Sequence, residues 1–136
     1  MLMEYCNGGT LYEAHKKLKY NCFPKDMALS VIRQVIKGVA YMHKEGLIHR
    51  DIKAENILFH NPNNSSTASV VKICDLGFVR EDDAEANTFC GTTHYMAPEI
   101  LARGKYDSKV DVWALGVLLF FMLFGEFPFR GSPNPS

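Results

Sequence analysis

The stretch His49–Asn56 reads HRDIKAEN and brings a carboxylate, a cation and an amide close together just after the apolar pair Leu47–Ile48. A loop that transfers a phosphoryl group needs a carboxylate to accept the proton of an attacking hydroxyl and an amide to hold a metal ion. Asp51 and Asn56 meet these two needs. Lys53 lies two residues beyond the carboxylate, so in an extended loop it points to the same side and offers positive charge to phosphoryl oxygens.

This stretch resembles the catalytic loop of eukaryotic protein kinases, with Ile52 at a position where the family usually has Leu. The resemblance implies that Asp51 is the base, that Lys53 stabilises the phosphoryl group, and that Arg50 belongs to the catalytic set. His49 would be a structural anchor, and a Lys at the third loop position is similar to the serine/threonine branch. The alternative is a solvated polar turn after a helix, which requires the further motifs below to be accidental.

Size and composition limit the classes of protein to consider. The 136 residues are 47% hydrophobic and carry no formal net charge, which predicts one modest core. Without an excess of Lys and Arg, a general nucleic-acid binder or an anionic-membrane binder is disfavoured. The longest apolar run, Val112–Phe124, is shorter than the roughly 18 residues that a membrane span needs, so it predicts a buried helix.

The cysteines are scattered and lack the close pairs of a zinc site, and the chain shows no export signal. Free thiols in a reducing compartment are the simplest interpretation, which predicts a cytoplasmic or nuclear location. The four residues are Cys6, Cys22, Cys74 and Cys90.

The amino-terminal residues predict a strand, a glycine turn and a short helix. Residues 1–6 are apolar and strand-like, and Asn7-Gly8-Gly9 ends that pattern. Thr10 followed by Glu13 forms a capping-box pattern, which predicts a helix from about Leu11 to Leu18. Read without the family, this segment is an edge strand with a glycine turn.

The resemblance gives the same segment a role in nucleotide binding. Residues 1–10 are similar to the last small-lobe strand and the hinge of a kinase. Met3 would be the gatekeeper, Glu4 and Cys6 would offer backbone groups to the adenine edge, and Thr10 would lie near the ribose. Leu58 would form the floor under the adenine ring. The implied nucleotide is ATP.

A long helix and a hairpin are predicted on either side of the catalytic loop. Apolar residues recur at helical spacing between Pro24 and Gly46, which predicts an amphipathic helix with one buried face. The β-rich runs 57–59 and 70–73 flank a turn-forming cluster and should pair as a hairpin. This pairing would return Asp75 to the vicinity of Asn56, where the two side chains could share magnesium ions.

Residues 75–99 resemble a kinase metal motif followed by an activation segment. Asp75-Leu76-Gly77 has Leu where the template has Phe, which should alter how the loop switches rather than whether metal binds. Thr88 is positioned like an activating phosphosite, where a phosphate added by an upstream kinase could pair with Arg50. Thr92 matches the position that bonds to the catalytic Asp and Lys, and Glu99 closes the segment in Ala-Pro-Glu. Without the family, these threonines are ordinary loop residues.

A single acidic residue opens the most apolar helix of the sequence. Asp107 or Ser108 can cap this helix, and Asp111 stands at its start. An unpaired buried carboxylate costs several kcal/mol, so Asp111 needs a hydrogen-bond partner. Residues 111–116 resemble the buried central helix of the kinase large lobe, and this resemblance implies that the partner is the backbone near His49 and Arg50. The alternative is a first-turn residue favoured by the helix dipole.

These observations predict an α+β fold: a partial, mainly helical kinase large lobe with a small β-hairpin and no small lobe. Residues 1–10 would be the strand and hinge, and residues 11–136 an incomplete large lobe. The predicted function is a fragment of a serine/threonine protein kinase that transfers the ATP γ-phosphate to Ser/Thr hydroxyls of protein substrates, with Mg²⁺. We expect the fragment alone to be inactive. The alternative is a truncated, catalytically inactive homologue that acts as a binding module.

Overall fold

The computed structural model describes residues 5–60, 70–81 and 92–129. It has an α+β architecture. Two long helices pack together, and short strands lie on both sides of the loop formed by residues 49–56. The elements are, in chain order, α1 (Leu11–Lys16), α2 (Lys25–Lys44), β1 (Leu47–Ile48), β2 (Ile57–His60), β3 (Val70–Ile73), β4 (Arg80–Glu81), α3 (Pro98–Leu101) and α4 (Lys109–Phe124). The predicted fold class is confirmed.

Helix α1 begins with the predicted capping box. The Thr10 hydroxyl accepts a hydrogen bond from the Glu13 backbone N–H at 3.0 Å, and the Glu13 carboxylate accepts one from the Thr10 N–H at 2.9 Å. This reciprocal contact lowers the pKa of the Glu13 carboxyl, since the backbone N–H of Thr10 favours the ionised form. The helix ends at Lys16, two residues before the predicted Leu18.

Helix α2 supplies one wall of the core. Val31, Ile32, Val35 and Val39 are buried, and the helix packs on α4 and on β3. These positions lie on one face of a helix with 3.6 residues per turn. Ile36 belongs to the predicted apolar pattern but is 46% exposed, because it lies about 100° around the helix from Val35.

The predicted hairpin is an antiparallel pair in which Ile57 faces Ile73 and His60 faces Val70. The ladder continues beyond the strands, because the Cys74 N–H donates to the Asn56 carbonyl at 2.9 Å. On the other edge of β2, Leu58 forms a bridge with Thr10. The hairpin therefore joins the glycine turn, the catalytic loop and the residues before Asp75. Its predicted turn at 61–66 lies outside the described residues.

Helix α4 is apolar on most sides, as the sequence predicted. Its buried residues pack against α2 and form a second large part of the core. Ser108 occupies the N-cap position without a side-chain hydrogen bond, whereas Asp107 Oδ1 accepts one from the Lys109 N–H at 2.9 Å. Among the described residues, no helix combines the length and the apolar character that crossing a bilayer requires.

The end of α4 supplies a test of the packing. Gly125 has φ +73°, and a Cβ there would collide with the Asn21 carbonyl oxygen. We expect Gly125→Ala to lower the free energy of unfolding by at least about 2 kcal/mol. Gly116 lies inside α4 with open space around it, so Gly116→Ala should raise that free energy by about 0.5–1 kcal/mol. Urea unfolding of both variants measures the difference between their free energies of unfolding. Equal midpoints would contradict the close approach of Gly125 to the Asn21 carbonyl.

Candidate active site

The catalytic loop is fastened to α4 through one buried carboxylate. Asp111 is 1% exposed, and its Oδ2 accepts a hydrogen bond from the His49 backbone N–H at 2.9 Å. Its Oδ1 accepts one from the Arg50 N–H at 2.8 Å. These are the backbone partners predicted for Asp111. Arg50 has φ +67°, a conformation that a non-glycine residue keeps only when its surroundings enforce it.

A third donor to Asp111 comes from α2 and was missed by the sequence analysis. His43 Nε2 lies 2.8 Å from Asp111 Oδ2. His43 lies near the end of α2 and belongs to no motif of the sequence. A buried carboxylate has lone pairs for several donors, and this is the signal that pointed to a further polar partner such as a residue at the end of α2.

Asp51 has two carboxylate oxygens in different environments. Oδ2 lies 2.8 Å from Lys53 Nζ and accepts a hydrogen bond from Asn56 Nδ2 at 3.0 Å. Oδ1 is buried and has no hydrogen-bond partner among the described residues. Since a buried polar atom is normally paired, Oδ1 is the atom with unused acceptor capacity.

Lys53 connects the catalytic loop with the segment that follows residue 91. Its Nζ donates a hydrogen bond to Thr92 Oγ1 at 3.0 Å in addition to its contact with Asp51. Nearby, the Tyr95 hydroxyl accepts a hydrogen bond from the Ala54 N–H at 3.3 Å. Burial raises the pKa of the Tyr95 phenol far above its ordinary value, so this hydroxyl stays neutral. Together, these contacts hold the loop and residues 92–95 side by side.

The backbone before Asp75 is attached to the catalytic loop at two points. The Cys74 N–H donates to the Asn56 carbonyl at 2.9 Å, and the Cys74 carbonyl lies 3.2 Å from His49 Nε2. Asp75 is exposed, has φ +61°, and accepts a hydrogen bond from the Gly77 N–H. Desolvation raises the pKa of the Cys74 thiol, and the negative charge of Asp75 adds to this effect.

The side chains of Asn56 and Asp75, on either side of the Cys74–Asn56 backbone hydrogen bond, are of types that bind magnesium. Asn56 makes both of its hydrogen bonds, to the Asp51 carbonyl and carboxylate, through Nδ2, so its Oδ1 keeps its lone pairs. Asp75 offers an exposed carboxylate one residue from the anchored Cys74. In the described residues, no three His, Cys, Asp or Glu side chains form a metal-binding group. The amide oxygen of Asn56 and the carboxylate of Asp75 are oxygen ligands of the kind that magnesium takes together with phosphate oxygens.

Arg50 is occupied by partners other than the predicted phosphate. Its Nε donates to the Phe78 carbonyl, and its Nη1 donates to the Tyr106 hydroxyl at 2.9 Å. Thr88 lies outside the described residues. Sequence analysis missed Tyr106, and it also missed Arg80, which brings a second cation into β4 opposite Ile48 in β1.

The predicted nucleotide-binding residues are only partly described. Cys6 is half-buried, Thr10 caps α1, and Leu58 is half-buried in β2. Because the Thr10 hydroxyl is already an acceptor in the capping box, its contact with a ribose stays a prediction. Met3 and Glu4 lie outside the described residues.

Glu99, predicted to close the activation segment, is half-buried in α3, and its carbonyl accepts a hydrogen bond from the Gly104 N–H.

Comparison with known proteins gives one consistent result. A family model described as "Protein kinase domain" matches residues 1–136. The chain is 38% identical to calcium-dependent protein kinase 5 of Plasmodium berghei, over 98% of this chain and 23% of that protein. It is 39% identical to human serine/threonine-protein kinase H1 (96% and 30%) and 37% identical to mouse ribosomal protein S6 kinase alpha-2 (98% and 18%). The chain therefore spans less than a third of the length of these relatives.

The Asp111 contacts generate a prediction about stability. In Asp111→Asn an amide group replaces one acceptor oxygen and faces backbone donors, which should lower the free energy of unfolding by roughly 2–3 kcal/mol. The control is Asp107→Asn, which alters an exposed residue where Asn caps a helix as well as Asp does; its effect should stay within about 0.5 kcal/mol. Chemical unfolding followed by circular dichroism compares them, and similar losses in both variants would contradict the anchoring role of Asp111.

Proposed function

Because the chain belongs to the protein kinase family, we propose that it carries the catalytic loop of a serine/threonine protein kinase. The reaction is transfer of the γ-phosphate of ATP, with Mg²⁺, to a Ser or Thr hydroxyl of a protein substrate. The serine/threonine assignment is supported by the name of one similar protein, serine/threonine-protein kinase H1, and by Lys53 at the third position of the loop.

The proposal rests on the different surroundings of the two carboxylate oxygens of Asp51. Oδ2 is occupied by Lys53 and Asn56, and these contacts fix the orientation of the carboxylate. Oδ1 is buried without a partner in the described part of the chain. Oδ1 is covered in this structure, so substrate binding would have to open access to it. A substrate hydroxyl that then donates to Oδ1 would be oriented for attack, and Asp51 would accept its proton as the new oxygen–phosphorus bond forms, the bond from the γ-phosphorus to the bridging oxygen breaks and ADP leaves.

Lys53 is suited to stabilise the transferred group. An ammonium group has three N–H donors, and in the described residues two of them are accounted for by Asp51 and Thr92. The third can face the phosphoryl oxygens, where a preorganised positive charge lowers the barrier. Thr92 then acts as the residue that keeps Lys53 in place.

Asn56 and Asp75 would hold magnesium through the amide Oδ1 and the carboxylate. When bound, the metal neutralises part of the charge on the phosphate oxygens. The role of the chain itself is to keep the residue before β2 and the segment after β3 next to each other, and the Cys74–Asn56 backbone hydrogen bond contributes to this.

The remaining binding functions follow from the family. Met3, Glu4, Cys6, Thr10 and Leu58 would bind the nucleotide. Phosphorylation of Thr88 by an upstream kinase would draw Arg50 toward the phosphate, in exchange for its present contacts with Phe78 and Tyr106.

The cellular location is part of the same proposal. Cys6, Cys22 and Cys74 are free thiols, and thiols of this kind persist in the reducing environment of the cytoplasm or nucleus. We assign the protein to one of these two compartments.

The first test is phosphoryl transfer by the complete reading frame that encodes this chain. We expect transfer of labelled phosphate from ATP–Mg²⁺ to a Ser/Thr peptide, and a loss of about a hundredfold or more in kcat for Asp51→Asn, because the general base is removed. Asp107→Asn changes an exposed carboxylate in the same way and should leave kcat unchanged. Equal rates for the wild type and Asp51→Asn would refute the catalytic assignment. No transfer by the wild type would favour a binding module.

A second test needs no turnover. Asp75→Asn should weaken the magnesium-dependent part of ADP binding at least about tenfold, since even outer-shell changes at metal sites have effects of this size. Calorimetric titration of ADP with and without Mg²⁺ isolates that part, and Glu81→Gln serves as a control at an exposed acidic residue in β4. If Asp75→Asn binds ADP–Mg²⁺ as well as the wild type, Asp75 is not a metal ligand.

A further inference from the structure

We propose that Gln34 and Gly38 of α2 are positioning residues for Asp75. The two residues form a docking site for β3 on the helix, and Asp75 follows the last residue of β3 by two positions. The effect on magnesium binding rests on the proposed function, whereas the docking of β3 does not.

The first contact of the docking site is a hydrogen bond from the edge of β3. The Val71 N–H donates to Gln34 Oε1 at 3.0 Å. Backbone N–H groups alternate between the two edges of a strand, and the Cys74 N–H points to the β2 side, where it donates to the Asn56 carbonyl. The Val71 N–H therefore points to the opposite edge, which no other strand of the described residues extends. Gln34 supplies the acceptor at this edge, and because only its amide oxygen can accept, the contact also fixes the orientation of the side-chain amide.

The second contact of the docking site requires a glycine. A Cβ on Gly38 would lie 2.9 Å from Ile73 Cδ1, so any larger residue would push the two elements apart. Glycine inside a helix is less favourable than alanine, and the close approach of Ile73 explains why it is present in α2. Val71 and Ile73 both pack against the main core of the chain.

The spacing of the two contacts on α2 matches their spacing on β3. Residues 34 and 38 lie on one helix face, about 6 Å apart along the axis. Residues 71 and 73 lie on one face of the strand, about 6.6 Å apart. A shift of β3 by one residue would turn its side chains to the other face and would remove the N–H group from Gln34. The docking site therefore fixes the position of β3 along α2 as well as its distance from the helix.

The docked strand leads directly into the candidate metal site. Cys74 follows β3, and both its N–H and its carbonyl contact the catalytic loop. Asp75 comes next and has φ +61°, a conformation that its surroundings must enforce. Asn56 directly precedes β2, so docking of the hairpin on α2 places both proposed magnesium ligands relative to Asp51. A two-stranded hairpin without such support is marginally stable, and Asp75 would move with it.

The first test is hydrogen exchange on the complete reading frame that encodes this chain, resolved to single residues. Gln34→Met removes the acceptor and keeps the length of the side chain, whereas Gln34→Glu keeps an acceptor oxygen. Lys37→Met is the control, because it makes a similar change at an exposed position of α2. We expect the Val71 amide to exchange about tenfold faster or more in Gln34→Met, the size of one lost hydrogen bond. In the other two variants, its exchange should stay close to that of the wild type.

The amides of Val35 and Val39 in α2 report on the fold as a whole. Faster exchange at Val71 in Gln34→Met, with unchanged exchange at these two amides, supports the docking site. Unchanged exchange at Val71 overturns it. If Gln34→Met also loosens α2, the decision passes to the variants of Gly38.

The second test introduces a steric conflict and then relieves it. Gly38→Ala places a Cβ against Ile73 Cδ1, and Ile73→Val deletes that atom. Because overpacking displaces the neighbouring element, we expect the amides of Val71 and Cys74 to exchange about fivefold faster or more in Gly38→Ala. In the double variant, their exchange should return to within about twofold of that in Ile73→Val. Equal effects of Gly38→Ala in both backgrounds would overturn the docking site.

A magnesium titration connects the docking site with Asp75. Gln34→Met and Gly38→Ala should weaken the magnesium-dependent part of ADP binding about tenfold, since outer-shell changes at metal sites have effects of this size. ADP binding without Mg²⁺ should stay within about twofold of the wild type, and Gln34→Glu should bind ADP–Mg²⁺ like the wild type.

The outcomes separate this proposal from the proposed function. If β3 loses protection in Gln34→Met and Gly38→Ala but the magnesium-dependent part of ADP binding is unchanged, the positioning role for Asp75 is overturned. If the wild type binds no ADP, the proposed function fails. In that case the Cys74 amide, next to Asp75, still decides the positioning role: faster exchange in Gly38→Ala supports it, and unchanged exchange overturns it.

Discussion

The structure depends on a negative charge buried at the start of an apolar helix. Asp111 would be costly in that position without partners, since desolvation of a carboxylate is among the largest penalties in protein interiors. Three donors from two other segments compensate for it. The same contacts that make the charge tolerable hold Arg50 in its unusual backbone conformation. The core of this chain and the geometry of its candidate active site therefore share one interaction.

Much of the fold could be predicted because its causes are local. Helix α2 follows from apolar residues at helical spacing, α1 from the Thr10–Glu13 capping box, and the hairpin from two β-rich runs around a turn cluster. That Asp111 has hydrogen-bond partners was also predictable, since a carboxylate in so apolar a helix must be satisfied, and the resemblance to the kinase family indicated which backbone they belong to. The order of the kinase-like motifs along the chain then indicated how these helices and the hairpin are arranged around the catalytic loop.

The contacts that could not be predicted join residues far apart in sequence. His43 and Tyr106 have no distinguishing pattern of their own, and they matter because packing brings them to Asp111 and Arg50. The pairing of Arg50 with a phosphate stays a prediction, and its contacts with Phe78 and Tyr106 could not be foreseen because these residues come from two later segments. The exposed position of Ile36 in α2 also depended on which face met α4, which periodicity alone did not decide.

Helix α4 has a consequence for the solution behaviour of the chain. Val112 and Phe124 are 58% and 62% exposed, and Trp113, next to Val112 in the sequence, stacks on the half-exposed Phe129. Sulfate and other strongly hydrated salts favour burial of such surface, whereas low concentrations of urea solvate it. The colloidal state of the purified chain should therefore respond to the choice of salt more than its secondary structure does, and sulfate-based precipitation would select for associated material.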